Sequence, residues 1–179
     1  MPVTCIVGIA NEGKVYIGSD RGASDDSSII SMCRPKVHVK QDWIFGYAGD
    51  IGTAQLLEFA ELPELEEDDD PYRVLRLDVV EELRSLIESH GTMPNDKEDN
   101  SASFLIGAKG RLFELSTSDW SVIEIEETAI GSGGTFALGS LHTTKQFPVA
   151  LPIYRIEQAL NAAITYSPTC QGPIDILYL

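Results

Sequence analysis

Three side chains near the start of this 179-residue chain are of the types that nucleophilic catalysis uses: the hydroxyl of Thr4, the carboxylate of Asp20 and the amine of Lys36. A threonine hydroxyl is a weak nucleophile at neutral pH until a base takes its proton. An α-amine, with an ordinary pKa near ~8, can serve as that base, and a lysine beside a carboxylate can lower the nucleophile's pKa. For the α-amine to act, Thr4 must become the first residue, which requires loss of Met1-Pro2-Val3. The chemistry these groups suit is acyl transfer through the threonine oxygen. Taken singly each has an ordinary role: a β-branched residue that packs in a strand, an aspartate where a strand stops, a surface lysine.

The elements around them are arranged to bring the three together. Two β-rich runs flank the turn-forming Asn11-Glu12-Gly13, so a hairpin places Thr4 at one strand's start and Asp20 at the other's end. Two further β-like runs lie either side of Gln41-Asp42, and Ile51, Ala54, Leu56, Leu57 and Ala60 predict a helix over 50–61 that follows the Gly49 turn. Gly49 is placed to offer its backbone N–H to a developing oxyanion. Asp70 and Pro71 cap and open a second helix running to about His90-Gly91, and residues 92–101 form a polar loop. Strands follow at 103–107, 111–116 and 121–126. A short helix comes after the glycine-rich Gly131-Ser132-Gly133-Gly134, then a helix at 152–166 and a closing strand at 173–179. Helices on both sides of two antiparallel sheets would bury every sheet face.

Residues 4–24 resemble the opening of the proteasome β-subunit and of the bacterial HslV peptidase. The likeness continues in Arg34-Pro35-Lys36-Val37, in Gly46-Tyr47-Ala48-Gly49-Asp50 and in Ala129-Ile130-Gly131-Ser132-Gly133-Gly134. The resemblance implies an α+β fold, the four-layer αββα sandwich of the N-terminal nucleophile (Ntn) hydrolases, in one domain over 1–179 with residues 1–3 as a short propeptide. It implies a threonine peptidase without a cofactor or metal. Thr4 is its nucleophile, Asp20 and Lys36 support it, Gly49 is the oxyanion donor, and Ser132 bonds near the nucleophile's amine. Ala23, Ser24 and Tyr47 match positions bordering the substrate channel. A homo-oligomeric ring, a peptide or unfolded-protein substrate and a partner ATPase are implied in the same way. The resemblance leaves open a second reading, in which the same fold serves as a structural, self-assembling shell without cutting anything.

Composition limits the alternatives. Thirteen basic residues against 28 acidic give a net charge of -15, which repels nucleic acid and anionic lipid. No apolar run approaches the ~20 residues of a membrane span, and the N-terminus lacks a signal peptide's layout, so a cytoplasmic protein is expected. Cys5, Cys33 and Cys170 share no metal-ligand spacing and are read as reduced, mostly buried thiols. Gly131-Ser132-Gly133-Gly134 lacks the Gly-Lys-Ser/Thr ending of a phosphate loop. His38, His90 and His142 show no carboxylate partner in the sequence and are read as packing or surface residues.

Overall fold

Glu12 and Gly13 take positive φ angles of 50° and 75°, the pair that a type I′ turn requires, and join β1 (Ile6–Asn11) to β2 (Lys14–Ser19) as expected. The computed structural model describes residues 4–24, 28–90, 101–147 and 151–179. Met1-Pro2-Val3 and nearly all of the loop expected at 92–101 lie outside them. β1 and β2 form the centre of a four-stranded antiparallel sheet, with β10 (Glu127–Ile130) beside β1 and β11 (Asp175–Tyr178) beside β2. A five-stranded antiparallel meander holds β5 (Val37–Lys40), β6 (Trp43–Gly49), β7 (Ala102–Ala108), β8 (Arg111–Ser116) and β9 (Val122–Ile125). Between the two in sequence, β3 (Gly22–Ser24) and β4 (Ile29–Ser31) pair as a ribbon.

In β1, β2, β6, β7 and β8 both faces of the pleat are largely buried, so period-two alternation points apolar residues two ways. Ile6, Val15 and Ile17 of the smaller sheet meet Ile44, Leu105 and Leu112 of the larger one between the sheets. The opposite faces pack on helices. Trp43, Phe45 and Tyr47 lie against Leu57, Leu75 and Leu83 of the segment containing α1 (Ile51–Gln55), α2 (Pro71–Val74) and α3 (Val80–His90). Cys5, Val7 and Ile9 lie against Leu141, Ile156 and Leu160 of α4 (Gly134–Thr144) and α5 (Pro152–Tyr166). The layers therefore run helix, sheet, sheet, helix.

Asp70 caps α2 by accepting from the Tyr72 N–H at 3.2 Å, with Pro71 in the first turn. A π-helical turn, Leu75–Val79, links α2 to α3, so one continuous helical segment runs from Pro71 to His90. One expectation needs correction. The helix expected over 50–61 stops at Gln55 and continues as one 3-10 turn, Leu56–Glu58, because the carbonyls of Glu58 and Ala60 turn to the Lys40 ammonium, 3.3 and 2.5 Å away. The strand expected at 121–126 is β9, and a further strand that was not expected, β10, follows it in the other sheet. Glu126 alone separates them, and its carbonyl takes the Ala10 N–H at 2.7 Å.

Candidate active site

Cys5 faces the α4/α5 layer and Ile6 faces the opposite sheet. The same alternation turns Thr4 into the space between the sheets, at the end where β2 stops and β5 begins. Asp20 and Lys36 are fully buried at 0% exposure, and Thr4 is 1% exposed. The Lys36 Nζ donates to Thr4 Oγ1 at 2.8 Å, to Asp20 Oδ1 at 3.0 Å and to the Gly22 carbonyl. An ammonium has three protons, and each finds an acceptor. Asp20 in turn accepts the N–H groups of Cys5 at 2.9 Å and of Gly22 and Gln171 at 3.0 Å each. The carboxylate is thus fixed by three backbone N–H groups from separate segments and serves as the ammonium's counter-ion.

Burial pulls the Lys36 pKa below its ordinary 10.5, and the neighbouring Asp20 carboxylate partly restores it. A lysine so placed holds its charge more weakly than a surface lysine. It also aims that charge at Thr4 Oγ1, where it favours the alkoxide over the hydroxyl. The arrangement is chemically directional: the ammonium donates to the threonine oxygen and leaves the hydroxyl proton for another base.

Among the described residues, the backbone groups of Thr4 meet uncharged partners. Its N–H donates to Ser132 Oγ at 3.2 Å, and its carbonyl accepts from the Gly133 N–H at 3.2 Å. Gly131 holds φ at +88°, and a side chain there would run into the Thr4 carbonyl. Only glycine fits both the dihedral and the close approach. Ser132 Oγ lies 2.6 Å from Thr169 Oγ1, which lies 2.7 Å from Ser167 Oγ. Sequence reading placed Ser132; the Gln171 N–H that bonds Asp20 is a backbone group and leaves no mark in residue type.

Gly49 ends β6 with φ at +109°, and a β-carbon there would lie 2.5 Å from the Ser101 carbonyl. The Asp50 N–H bonds Ser101 O across the β6–β7 ladder, while the Tyr47 N–H bonds Lys36 O on the opposite strand edge. Alternation puts the Gly49 N–H on the Lys36 edge, past the last rung of that ladder. Ala23 lies buried in β3; Ser24 follows it in the same strand, paired with Ile29.

Tyr47 is turned the other way. Its ring packs in the core under α1–α3, and its hydroxyl donates to Glu58 Oε1 at 3.1 Å. Residues 44, 46 and 48 face the space between the sheets while 43, 45 and 47 face the helices, so it is Ala48, next to Gly131, that borders the Thr4 region. The same Glu58 corrects the reading of His38, whose Nε2 lies 3.4 Å from Glu58 Oε1. His38 therefore has a carboxylate neighbour, brought from 20 residues away by the 3-10 turn.

No protein-family model matches the chain, and no curated protein matches it in sequence. Solved structures do. The chain aligns with Thiobacillus denitrificans BPH, determined in complex with epoxomicin, at TM-score 0.81 and 20% identity over 98% of each chain. It aligns with the eukaryotic HslV of Trypanosoma brucei at TM-score 0.74 and 19% identity, covering 98% of this chain and 99% of that one. For Anbu, the ancestral β-subunit from Yersinia bercovieri, the values are 0.71 and 17%, covering 98% and 81%. The chain has the proteasome-like Ntn-hydrolase fold.

Proposed function

We propose that this chain is a threonine peptidase that hydrolyses peptide bonds through Thr4 once Met1-Pro2-Val3 has been removed. One observation carries the reading: a buried ammonium 2.8 Å from the Thr4 hydroxyl oxygen and 3.0 Å from the Asp20 carboxylate. A buried ion pair is a costly way to stabilise a fold, since apolar residues of equal volume serve as well or better. Its contact with a hydroxyl gives it a chemical use.

The freed Thr4 amine takes the hydroxyl proton as Oγ1 attacks the scissile carbonyl, and Lys36 stabilises the oxygen as its negative charge develops. The Gly49 N–H donates to the carbonyl oxygen as it becomes an oxyanion. The amine then protonates the leaving nitrogen, and water, deprotonated by the same amine, releases the acyl group from Thr4. Asp20 keeps Lys36 protonated and aimed. Ser132 orients the amine. Ala23 and Ser24 lie on the edge where an extended peptide would run.

A homo-oligomer also belongs to this reading. The outward faces of α4 and α5 expose Phe136, Leu138, Ile153, Tyr154 and Tyr166. Their only exposed ionisable residues besides tyrosine are His142 and Glu157, in a chain of net charge -15. A second copy can approach this face without charge repulsion and offers histidine to glutamate in return. No described helix is long and apolar enough to cross a membrane, and we place the peptidase in the cytoplasm. An ATPase that feeds unfolded protein to such an assembly completes the proposal.

Intact mass and peptide hydrolysis test it together. Loss of residues 1–3, cleavage of an unstructured peptide and binding of epoxomicin, the compound seen with the Thiobacillus protein, are expected, with Thr4→Ala inactive. A full-length chain that neither cleaves nor binds supports the shell reading instead.

A further inference from the structure

We propose that Arg21, forked onto Asp175 and donating to the Cys33 carbonyl, is a positioning residue that fixes where Lys36 meets Thr4. The proposal rests on the threonine-peptidase reading and extends it to two side chains, Arg21 and Asp175, that lie outside the buried cluster.

Lys36 comes from a part of the chain that secondary structure does not hold. β4 ends at Ser31 and β5 begins at Val37, and residues 32–36 belong to no strand or helix. Such a segment keeps much of its backbone freedom unless other groups tie it down. Its ends are tied: the Met32 N–H donates to the Arg21 carbonyl at 2.9 Å, and the Lys36 carbonyl accepts from the Tyr47 N–H at 3.3 Å. In the middle, the Cys33 carbonyl accepts from Arg21 Nη1 at 2.9 Å. Arg34 adds an ion pair to Glu58, but its side chain is 67% exposed and holds loosely.

The Cys33 contact takes its stiffness from the anchor behind it. Arg21 Nε and Nη2 donate to the two oxygens of Asp175 at 2.6 Å each, a planar two-point fork that leaves the guanidinium little freedom to turn. Asp175 begins β11 in register with Ser19 of β2, so the anchor belongs to the sheet that carries Asp20 to its place. Ser31 Oγ donates to the Gly172 carbonyl at 3.1 Å and ties the same two segments a second time. The hydrogen bond to Asp175 raises the Arg21 pKa and keeps the guanidinium charged.

Asp20 and Arg21 are consecutive and point opposite ways. Asp20 is fully buried and holds the Lys36 ammonium, whereas the Arg21 side chain is 24% exposed and holds the backbone three residues before that lysine. One stretch of backbone thus aims a carboxylate at the lysine's charge and a guanidinium at the lysine's carrier. A part-exposed ion pair contributes little to stability, but a displacement of about 1 Å at a reacting group lowers turnover about a hundredfold. The clamp is therefore expected to show in kcat and not in the unfolding midpoint.

The experiment compares the wild-type chain with Arg21→Lys, Arg21→Ala and Asp175→Asn by peptide hydrolysis, urea unfolding and competitive acetylation of lysines with acetic anhydride, read by mass spectrometry. In Arg21→Lys and Arg21→Ala kcat is expected to fall about tenfold or more, with KM within twofold and the urea midpoint near wild type. Arg21→Lys keeps the charge without the fork, so its loss marks geometry, and millimolar guanidinium is expected to restore part of kcat in Arg21→Ala. Asp175→Asn keeps one acceptor oxygen and should fall between. Lys36 is fully buried, and its labelling relative to the exposed Lys14 is expected to rise about fivefold or more in Arg21→Ala as the segment opens. Unchanged relative labelling of Lys36 overturns the clamp whether or not the chain cleaves peptides. So does a kcat that stays at the wild-type value in an active chain, or a rise in labelling shared by every lysine with a lowered midpoint. Raised labelling of Lys36 in a chain that hydrolyses nothing keeps the clamp and removes the peptidase reading.

Discussion

Thr4 is held between two unlike halves. On one side a buried ammonium and carboxylate, drawn from β2 and the start of β5, are satisfied by a convergence of backbone groups. On the other, the loop at 131–133 and the segment at 167–170 supply hydroxyls, backbone amides and a thiol, all neutral. The difference separates two tasks. Charge is concentrated where the nucleophilic oxygen must be stabilised, and is absent where the nitrogen must stay free to take a proton. A carboxylate on the nitrogen's side would favour the protonated amine and so leave less of the free base at a given pH.

If that division is right, the largest loss comes from the charged half. Lys36→Met, close in length but without charge, is expected to lower hydrolysis about a thousandfold or more. It should also destabilise the fold by about 3–5 kcal/mol, because Asp20 is left buried and unpaired. Urea unfolding separates the two effects: the double variant Asp20→Asn/Lys36→Met should regain most of the stability and none of the activity. Equal activity in Lys36→Met and wild type would collapse the comparison.

The neutral half is expected to fail more gently. Ser132→Ala should lower kcat about tenfold and leave the unfolding midpoint near that of wild type, read by steady-state kinetics and denaturation. Gly131→Ala is the exception, since the φ of +88° and the contact with the Thr4 carbonyl make it about 1–3 kcal/mol less stable and displace the nucleophile. Leu83→Ala, fully buried beneath the helix layer of the larger sheet, sharpens the contrast from a distance. It should cost about 2–5 kcal/mol in unfolding while kcat stays within twofold of wild type.

How far each half could be read in the sequence follows from how it is built. Thr4 and Asp20 flank one hairpin and Lys36 directly precedes β5, so each sits where a β pattern starts or stops and local periodicity locates them. Gly131 and Ser132 are marked by the glycine run. Thr169 reaches Ser132 from 37 residues away, and Gln171 reaches Asp20 from 151 away through a backbone N–H, so neither has a local signature. Tyr47 shows the remaining limit. In a strand buried on both faces every residue is apolar, hydropathy cannot tell one face from the other, and a one-residue difference decides between the site and the helix-side core.

The smallest expected effect lies outside the site. Burial under the 3-10 turn pulls the His38 pKa below its ordinary 6.5, partly opposed by Glu58, so the unfolded chain binds this proton first. Stability is therefore full above pH 6.5 and is lost as pH falls from there toward the depressed folded value. His38→Phe should flatten this part of the pH dependence in urea midpoints compared at pH 7 and pH 5. An equally steep slope in the variant would assign the loss to other groups.

The central claim is that Thr4 becomes a free N-terminal nucleophile armed by Lys36. Mass spectrometry of the chain mixed with an activated peptide ester, followed by peptide mapping, reads it directly. The account predicts an acyl group on a fragment that begins with Thr4 in wild type and its absence in Lys36→Met. A chain that still begins Met1-Pro2-Val3 and carries no acyl group on Thr4 would contradict it.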